Sequence, residues 1–572
     1  MPSVTIDGQI LEFEGRPRLL QFCLEHGIEL PHFCFHPAMS APANCRQCLV
    51  EVGSPEMDRA TGQPRLGDDG QPVIRFFPKL QTSCTMDVTD GMVVKSHRTS
   101  DQVERAQKDT LEMLLINHPL DCPICDQAGH CPLQIQAYKY GPEGSRFEFE
   151  KVSKPKHVAL GPRVTLDGER CINCTRCVRF TTEISESHQL TIIERGVRNY
   201  PMTPPGTTFD EPYSMNVVDI CPVGALTSTD FRFKARAWEM SKTPSITVSG
   251  SKGSNCYYWV KDNQILKVTP RENADVNDYW LPDEERLDYG RFNDDRPTGP
   301  LVDGAPVAWD TAYDAAAAIL GGADPARTVF LGSAHGTVED NYLLTRLASS
   351  LGVATPSYVP HAENGRGDNW LLTDDLTPNA NGCDRLGMRP LDAAALSARL
   401  DAGEVDVLYV LEDDPVGSGV CTAAQLESVK IILHSYHSTN QTSASAAVSL
   451  PAAMVVETVG TYVNTDGHAQ RVRPAKAIKG MNRTLMMECG KSRADLHGTP
   501  FDKWFNESNL VDCQPGWVSL PAVAIRLGHG LAYKGPKFIM REIADTMDAF
   551  SGATYEAMGK LGVRLEDVAA TV

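Results

Sequence analysis

CINCTRCVRF, residues 171–180, sets three thiols at two-residue intervals, and ICPVGALT, residues 220–227, adds a fourth cysteine directly before a proline. Cys171, Cys174, Cys177 and Cys221 have the spacing of a cubane ligand set, in which each iron of a sulfide cage takes one thiolate. In chains with two such repeats, the cysteine before proline serves the triad of the other repeat. Here the first repeat lacks its Cys-Pro and the second lacks its triad. One complete set remains, and one [4Fe-4S] cluster is predicted.

Two further groups lie upstream. Cys34, Cys45 and Cys48 are separated by ten and two residues, and Cys84 follows after another 35. Three ligands in one loop and a fourth from a neighbouring strand predict a [2Fe-2S] cluster. The spacing exceeds the plant-type pattern, and a hairpin inserted around Asp68-Asp69-Gly70 accounts for the extra length. A structural zinc is the competing reading, but zinc knuckles usually pair two Cys-x-x-Cys units. The third group, HPLDCPICDQAGHCPLQ (residues 118–134), has only Cys122, Cys125 and Cys131. Its cubane either leaves one iron open or takes a donor other than sulfur. His118, at a helix exit, and His130, beside Cys131, are both placed to supply that donor. Exchanging thiolate for neutral imidazole removes negative charge and raises the cluster's potential.

Seventeen cysteines bunched this way read as metal ligands unless the chain is secreted. The opening MPSVTIDGQILEF has no basic segment leading into an apolar one and no Arg-rich amphipathic presequence, so a bacterial cytoplasmic setting is expected. A formal charge of -19 opposes nucleic-acid binding, which needs clustered Lys and Arg. It suits solubility or docking on a basic partner. The least polar run, TSASAAVSLPAAMVV (442–456), is broken by Pro451 and falls short of the ~20 residues of a membrane span. No span is expected.

At 572 residues the chain needs several cores, roughly three to five domains. Residues 3–13 alternate about Asp7-Gly8 and predict a β-hairpin; residues 16–26 predict a helix with Gly27 at its left-handed end. Thr99–Asn117 predicts an amphipathic helix capped by Thr99 with Gln102 and ended by Pro119. The stretch from Asp121 to Gln134 reads as loop. Beyond about residue 244, Ala-rich helical segments alternate with apolar runs such as ARTVFLG (326–332) and VDVLYVLED (405–413), predicting an α/β domain.

The three cysteine groups together resemble the large iron-sulfur subunit of NADH:quinone oxidoreductase, respiratory complex I. Less specifically, GSNCYYWVKDNQILKVTPRENADVNDYWL (253–281) and ETVGTYVNTDGHAQRV (457–472) resemble the molybdopterin-oxidoreductase-like part of that subunit. The resemblance implies a multidomain α+β and α/β fold. A plant-type [2Fe-2S] ferredoxin β-grasp (1–98) is followed by a [4Fe-4S] segment with one His and three Cys ligands (99–155). Next come a bacterial-ferredoxin-like [4Fe-4S] domain (156–243) and a small β-rich domain (244–300). A molybdopterin-oxidoreductase-like α/β domain (301–572) completes the chain. It favours His118 over His130. It further implies electron relay from the NADH/FMN-binding subunit and the small [2Fe-2S] subunit toward quinone-proximal subunits of the peripheral arm, on the cytoplasmic side of the inner membrane.

One departure bears on cofactor count. Some relatives hold a further [4Fe-4S] cluster through Cys-x-x-Cys-x-x-x-Cys, whereas this chain has Cys256 followed by Trp259 and Asn263. No fourth cluster at Cys256 and no molybdopterin are expected; Cys256, Cys23, Cys383, Cys421, Cys489 and Cys513 are expected to be small buried hydrophobes. The alternative function is the iron-sulfur subunit of an NAD-linked hydrogenase or formate dehydrogenase. A hydrogenase needs another cysteine set, but the cysteines beyond residue 300 are singletons. No GxGxxG follows a strand, and SGSKGSN (249–255) reads as a turn before one.

Overall fold

The computed structural model describes all residues except 59, 60, 69, 489–508 and 567–572. They form two compact units, Met1–Glu239 and Met240–Val572.

In the first unit, strands Ser3–Ile6 and Gln9–Glu12 pair antiparallel through Asp7 and Gly8, both at positive φ. Ser3–Ile6 also pairs parallel with Met92–Lys95, which pairs antiparallel with Leu49–Pro55. Helix Leu19–Glu25 buries Leu19, Leu20, Phe22 and Cys23 in the same apolar core as Val4, Ile6, Val50, Val52 and Val94. It begins three residues later than the sequence predicts. The reason is pairing: Leu19 N donates to Met86 O (2.8 Å) and Val88 N to Pro17 O (2.9 Å), so residues 17–18 stay extended. The inserted hairpin is present, with Arg65 N bonded to Glu56 O and Gly67 N to Gln71 O; Asp69 lies outside the described residues.

The long helix spans Asp101–Leu115, and its cap differs from the predicted one. Ser100 accepts from Val103 N at 3.2 Å, while the Thr99 hydroxyl donates to Asp7 (2.5 Å). Asp7 also takes Ser96 N and Oγ, so the hairpin turn competes for Thr99. A second helix, Pro132–Tyr140, occupies a stretch read partly as loop; Pro132 at its first turn was the available signal. The rest of this unit holds the small sheets Leu226–Ser228 with Val164–Leu166 and Val158–Ala159, and Thr191–Ile193 with Tyr200–Met202.

The second unit opens with the antiparallel strands Ser241–Ile246, Asn255–Lys261 and Gln264–Pro270. SGSKGSN therefore leads into a strand, as its glycines predict. The α/β alternation builds an eight-stranded sheet in which Thr328–Gly332, Val407–Leu411, Lys430–Ser435 and Val448–Pro451 run parallel. The 442–456 run supplies the last of these strands, and among the described residues no helix is long and apolar enough to cross a membrane. Cys23, Cys256, Cys383 and Cys513 are fully buried and Cys421 nearly so, while Cys489 lies outside the described residues.

A buried carboxylate ties this unit together. Glu339, fully buried on helix Val338–Ser350, accepts from Thr461 N (2.8 Å), Thr461 Oγ1 (2.9 Å) and Tyr555 OH (2.8 Å). Glu339→Ala strands these donors and is expected to destabilise the unit by about 3 kcal/mol, read as a lower urea midpoint. An unchanged midpoint would contradict that role.

Candidate iron-sulfur centres

The first candidate centre forms where a loop, residues 34–48, faces the turn holding Cys84. Cys34, Cys45, Cys48 and Cys84 are all at most 7% exposed. Their thiols converge: Cys34 hydrogen-bonds with Cys45 and Cys84, and Cys84 also with Cys48. Sharing of these bonds, with N–H groups of Asn44 and Cys45 aimed at Cys34, holds Cys34 far below the ordinary thiol value and pushes Cys84 well above it. Ala43 and Arg46 adopt left-handed φ of 54° and 55°, which curls the backbone around Cys45. Neither residue is glycine, so the curvature is imposed by the loop's attachments.

The second candidate centre is the Cys171 group. Asn173 and Thr175, between the cysteines, are again left-handed, at 54° and 61°. Cys171, Cys174, Cys177 and Cys221 line one cavity with Ile172, Val223, Ala225 and Leu226. Burial pushes the Cys171 thiol up to about 11 and Cys174 up to about 12. Backbone N–H groups of Val223, Leu226 and Ala225 oppose that shift at Cys221 by donating to its sulfur. Buried thiols served by amide donors fit an anionic sulfide cage, whose charge such donors stabilise.

The His118 group is the least regular. Cys125 and Cys131 are buried, and Cys122 is exposed. His118 leaves the long helix with its N bonded to Leu115 O, and its buried Nδ1 has no partner among the described residues. Burial, with Arg170 and Lys151 nearby, lowers His118 to about 4, which keeps the imidazole neutral as a ligand must be. Asp121, next to Cys122, bonds Lys156 (2.7 Å) and Arg170 (2.9 Å). Burial works against its charge, yet those two cations hold its carboxyl below the usual range. The donor types fit a cubane. Among the described residues no three His, Cys, Asp or Glu side chains converge as on a single ion, a demand that one ligand per iron does not make.

The three groups are joined by contacts that sequence spacing did not reveal. Arg179 donates to the carbonyls of Cys34 and Ser40, Arg176 to that of Phe35, and Asn44 Nδ2 to Asn173 O at 3.3 Å. Ser40 Oγ donates to Glu183 at 2.6 Å. The Cys171 triad and the Cys34 loop thus share a hydrogen-bonded seam. On its other side, the segment after Cys221 touches the His118 group: Cys131 Sγ lies 3.7 Å from Pro222 O, and Arg170 reaches Gly224 O at 3.5 Å. Arg176, inside the cysteine triad, and Arg179, two residues after it, supply most of the seam's donors.

These frames and donor sets define a ferredoxin-like iron-sulfur protein with several centres. Known families match accordingly: a 2Fe-2S iron-sulfur cluster binding domain over 2–99 and the NADH-ubiquinone oxidoreductase-G iron-sulfur binding region over 107–146. The ferredoxin-like domain of NADH-quinone oxidoreductase subunit 3 matches 161–227, and the NDSU1/NuoG-like 4Fe-4S domain 240–290. The G subunit of NADH-quinone oxidoreductase from Rickettsia felis is 30% identical over 536 residues, 89% of this chain and 73% of that protein. Its Streptomyces coelicolor counterpart is 37% identical over 60% of this chain and 39% of its own. The 75 kDa subunit of NADH-ubiquinone oxidoreductase from Reclinomonas americana is 38% identical over 55% and 42%. A chain from a crystal structure of NAD+-reducing [NiFe]-hydrogenase aligns over 41% of this chain at 27% identity, with a TM-score of 0.33. The chain belongs to the family of NADH-quinone oxidoreductase G subunits, although it spans less than half of the Streptomyces and Reclinomonas relatives.

Proposed function

We propose that this chain relays single electrons through one [2Fe-2S] and two [4Fe-4S] clusters in the peripheral arm of NADH-quinone oxidoreductase. Cys34, Cys45, Cys48 and Cys84 hold the first; His118, Cys122, Cys125 and Cys131 the second; Cys171, Cys174, Cys177 and Cys221 the third. Iron-sulfur clusters supply reversible one-electron chemistry at such positions. The residues supply ligand charge, burial and N–H donors to sulfur, which tune potential. The observation that carries the reading is continuity. The Cys171 group stands between the other two, bonded through Arg179 and Asn44 on one side and abutting through Pro222 and Gly224 on the other.

Electrons enter from the NADH/FMN-binding subunit and the small [2Fe-2S] subunit and leave toward quinone-proximal subunits, on the cytoplasmic face of the bacterial inner membrane. No fourth cluster forms at Cys256. That cysteine lies inside a paired strand, Trp259 Nε1 donates to Thr269 Oγ1 (2.9 Å), and Asn263 bonds Ala477 and Asn509 carbonyls. These side chains are committed to packing the unit. Molybdopterin is absent from the reading as well; the cavity at the ends of the parallel strands, lined by His335, His361, Glu412 and Tyr436, presents no cysteine to a metal.

Anaerobically purified protein is expected to carry about ten irons, from one two-iron and two four-iron clusters, with matching acid-labile sulfide. Colourless, zinc-filled protein would overturn the proposal. His118→Cys is expected to retain the middle cluster and lower its potential by on the order of 100 mV, because a thiolate adds negative charge. An unshifted potential, with the drop appearing instead in His130→Cys, would transfer the ligand role to His130.

A further inference from the structure

A pocket of about 760 Å³ in the carboxy-terminal unit gathers Arg271, Arg471, Arg473 and Lys560, although the chain as a whole carries a charge of -19. The four come from separate segments. Arg271 follows strand Gln264–Pro270, Arg471 lies in strand His468–Val472 with Arg473 just beyond, and Lys560 is in the turn after helix Tyr555–Met558. Tertiary folding, not a basic run in the sequence, concentrates the charge.

Part of this charge holds the fold. Arg471 pairs with Glu488 (3.1 Å) and lies 4.0 Å over the Tyr555 ring. Arg271, 8% exposed, donates to Lys560 O (2.7 Å), Ser245 O (3.3 Å) and Asn255, yet its buried Nε has no acceptor among the described residues. The side chains of Arg473 and Lys560 have no ion-pair or hydrogen-bond partner among the described residues. Glu272, the one carboxylate in the lining, accepts from Tyr279 OH at 2.9 Å. Burial and the adjacent Arg471 lower the guanidinium value of Arg473, and Glu488 offsets them only in part. Like charges are thus held together at a cost that an anion would relieve.

The turn that presents Lys560 is fixed before any ligand arrives. Leu561 O accepts from Asn273 Nδ2 (2.9 Å) and meets His468 Nε2 (2.9 Å), and Lys560 O accepts from Arg271. Gly562, at φ 96°, would place a Cβ 2.6 Å from Ala469 O, so only glycine allows this close approach. A backbone fixed in advance loses little freedom on binding.

We propose that this pocket binds a phosphate-bearing anion, with Arg473 and Lys560 making the primary contacts and Arg271 and Arg471 supporting them. Guanidinium forks match phosphate oxygens in geometry and charge, and the volume falls in the ~300–1,000 Å³ range of small-ligand sites. All four cations belong to the Met240–Val572 unit, which carries none of the twelve cluster ligands, so the inference is independent of the relay.

Calorimetric titration of the full-length holoprotein with inorganic phosphate at low salt tests it. One saturable site per chain is expected, weakening as salt rises. Affinity is expected to fall about tenfold or more in the double variant Arg473→Gln with Lys560→Gln, through lost charge-assisted bonds. Unchanged iron content and unfolding midpoint establish that the variant is folded, as expected for side chains without protein partners. Absence of saturable binding, equal affinity in the folded double variant, or equal competition by acetate would overturn the assignment.

Discussion

Cys221→Ala is expected to remove one cubane outright, lowering iron from about ten to about six per chain and erasing one reduced-state magnetic signal. The reason lies in the surroundings of this thiol. It is buried, it receives N–H donors from three residues that follow it, and it completes the wall formed by Cys171, Cys174 and Cys177. Alanine leaves one iron without a ligand, and no other cysteine belongs to that wall. Because the group touches both of the others, NADH-driven quinone reduction by the assembled complex should fall to background while the Cys34 and His118 clusters keep their signals. Full iron with every signal intact would show that the twelve residues are wrongly grouped.

Gly224→Val is expected to eliminate the His118 cluster, although residue 224 is not a ligand. A Cβ at this position would stand 2.1 Å from Cys125 Sγ, well inside contact distance. A free thiol could turn away, but a sulfur bound to iron has a fixed position. The variant should therefore lose about four irons and the middle cluster's signal, with the Cys34 and Cys171 groups retained. Iron and sulfide analysis with low-temperature magnetic resonance measures this. Retention of all three signals would mean that the loaded centre places Cys125 away from Gly224.

Legibility differed sharply between kinds of element. The Asp7-Gly8 hairpin and the α/β alternation after residue 300 could be read because each depends on neighbours a few residues away. The helix start at Leu19 and the cap at Ser100 were misread, since remote groups decided them. Backbone pairing with Met86 and Val88 held residues 17–18 extended, and Asp7 captured Thr99. At the centres, ligand type was visible in cysteine spacing. The supporting residues Arg176, Arg179, Asn44, Gly224 and Arg170 were not, because these partners lie 54 to 145 positions away.

By itself the sequence determined which residue types are available at which intervals: eleven cysteines and a histidine in three sets, a formal charge of -19, and an α/β second half. That follows because coordination chemistry and secondary-structure periodicity act over short stretches of chain. Only the tertiary structure decided which remote segments support each set and where four scattered cations meet. Those are matters of through-space distance, set by packing and hydrogen bonds between segments that the linear order leaves far apart.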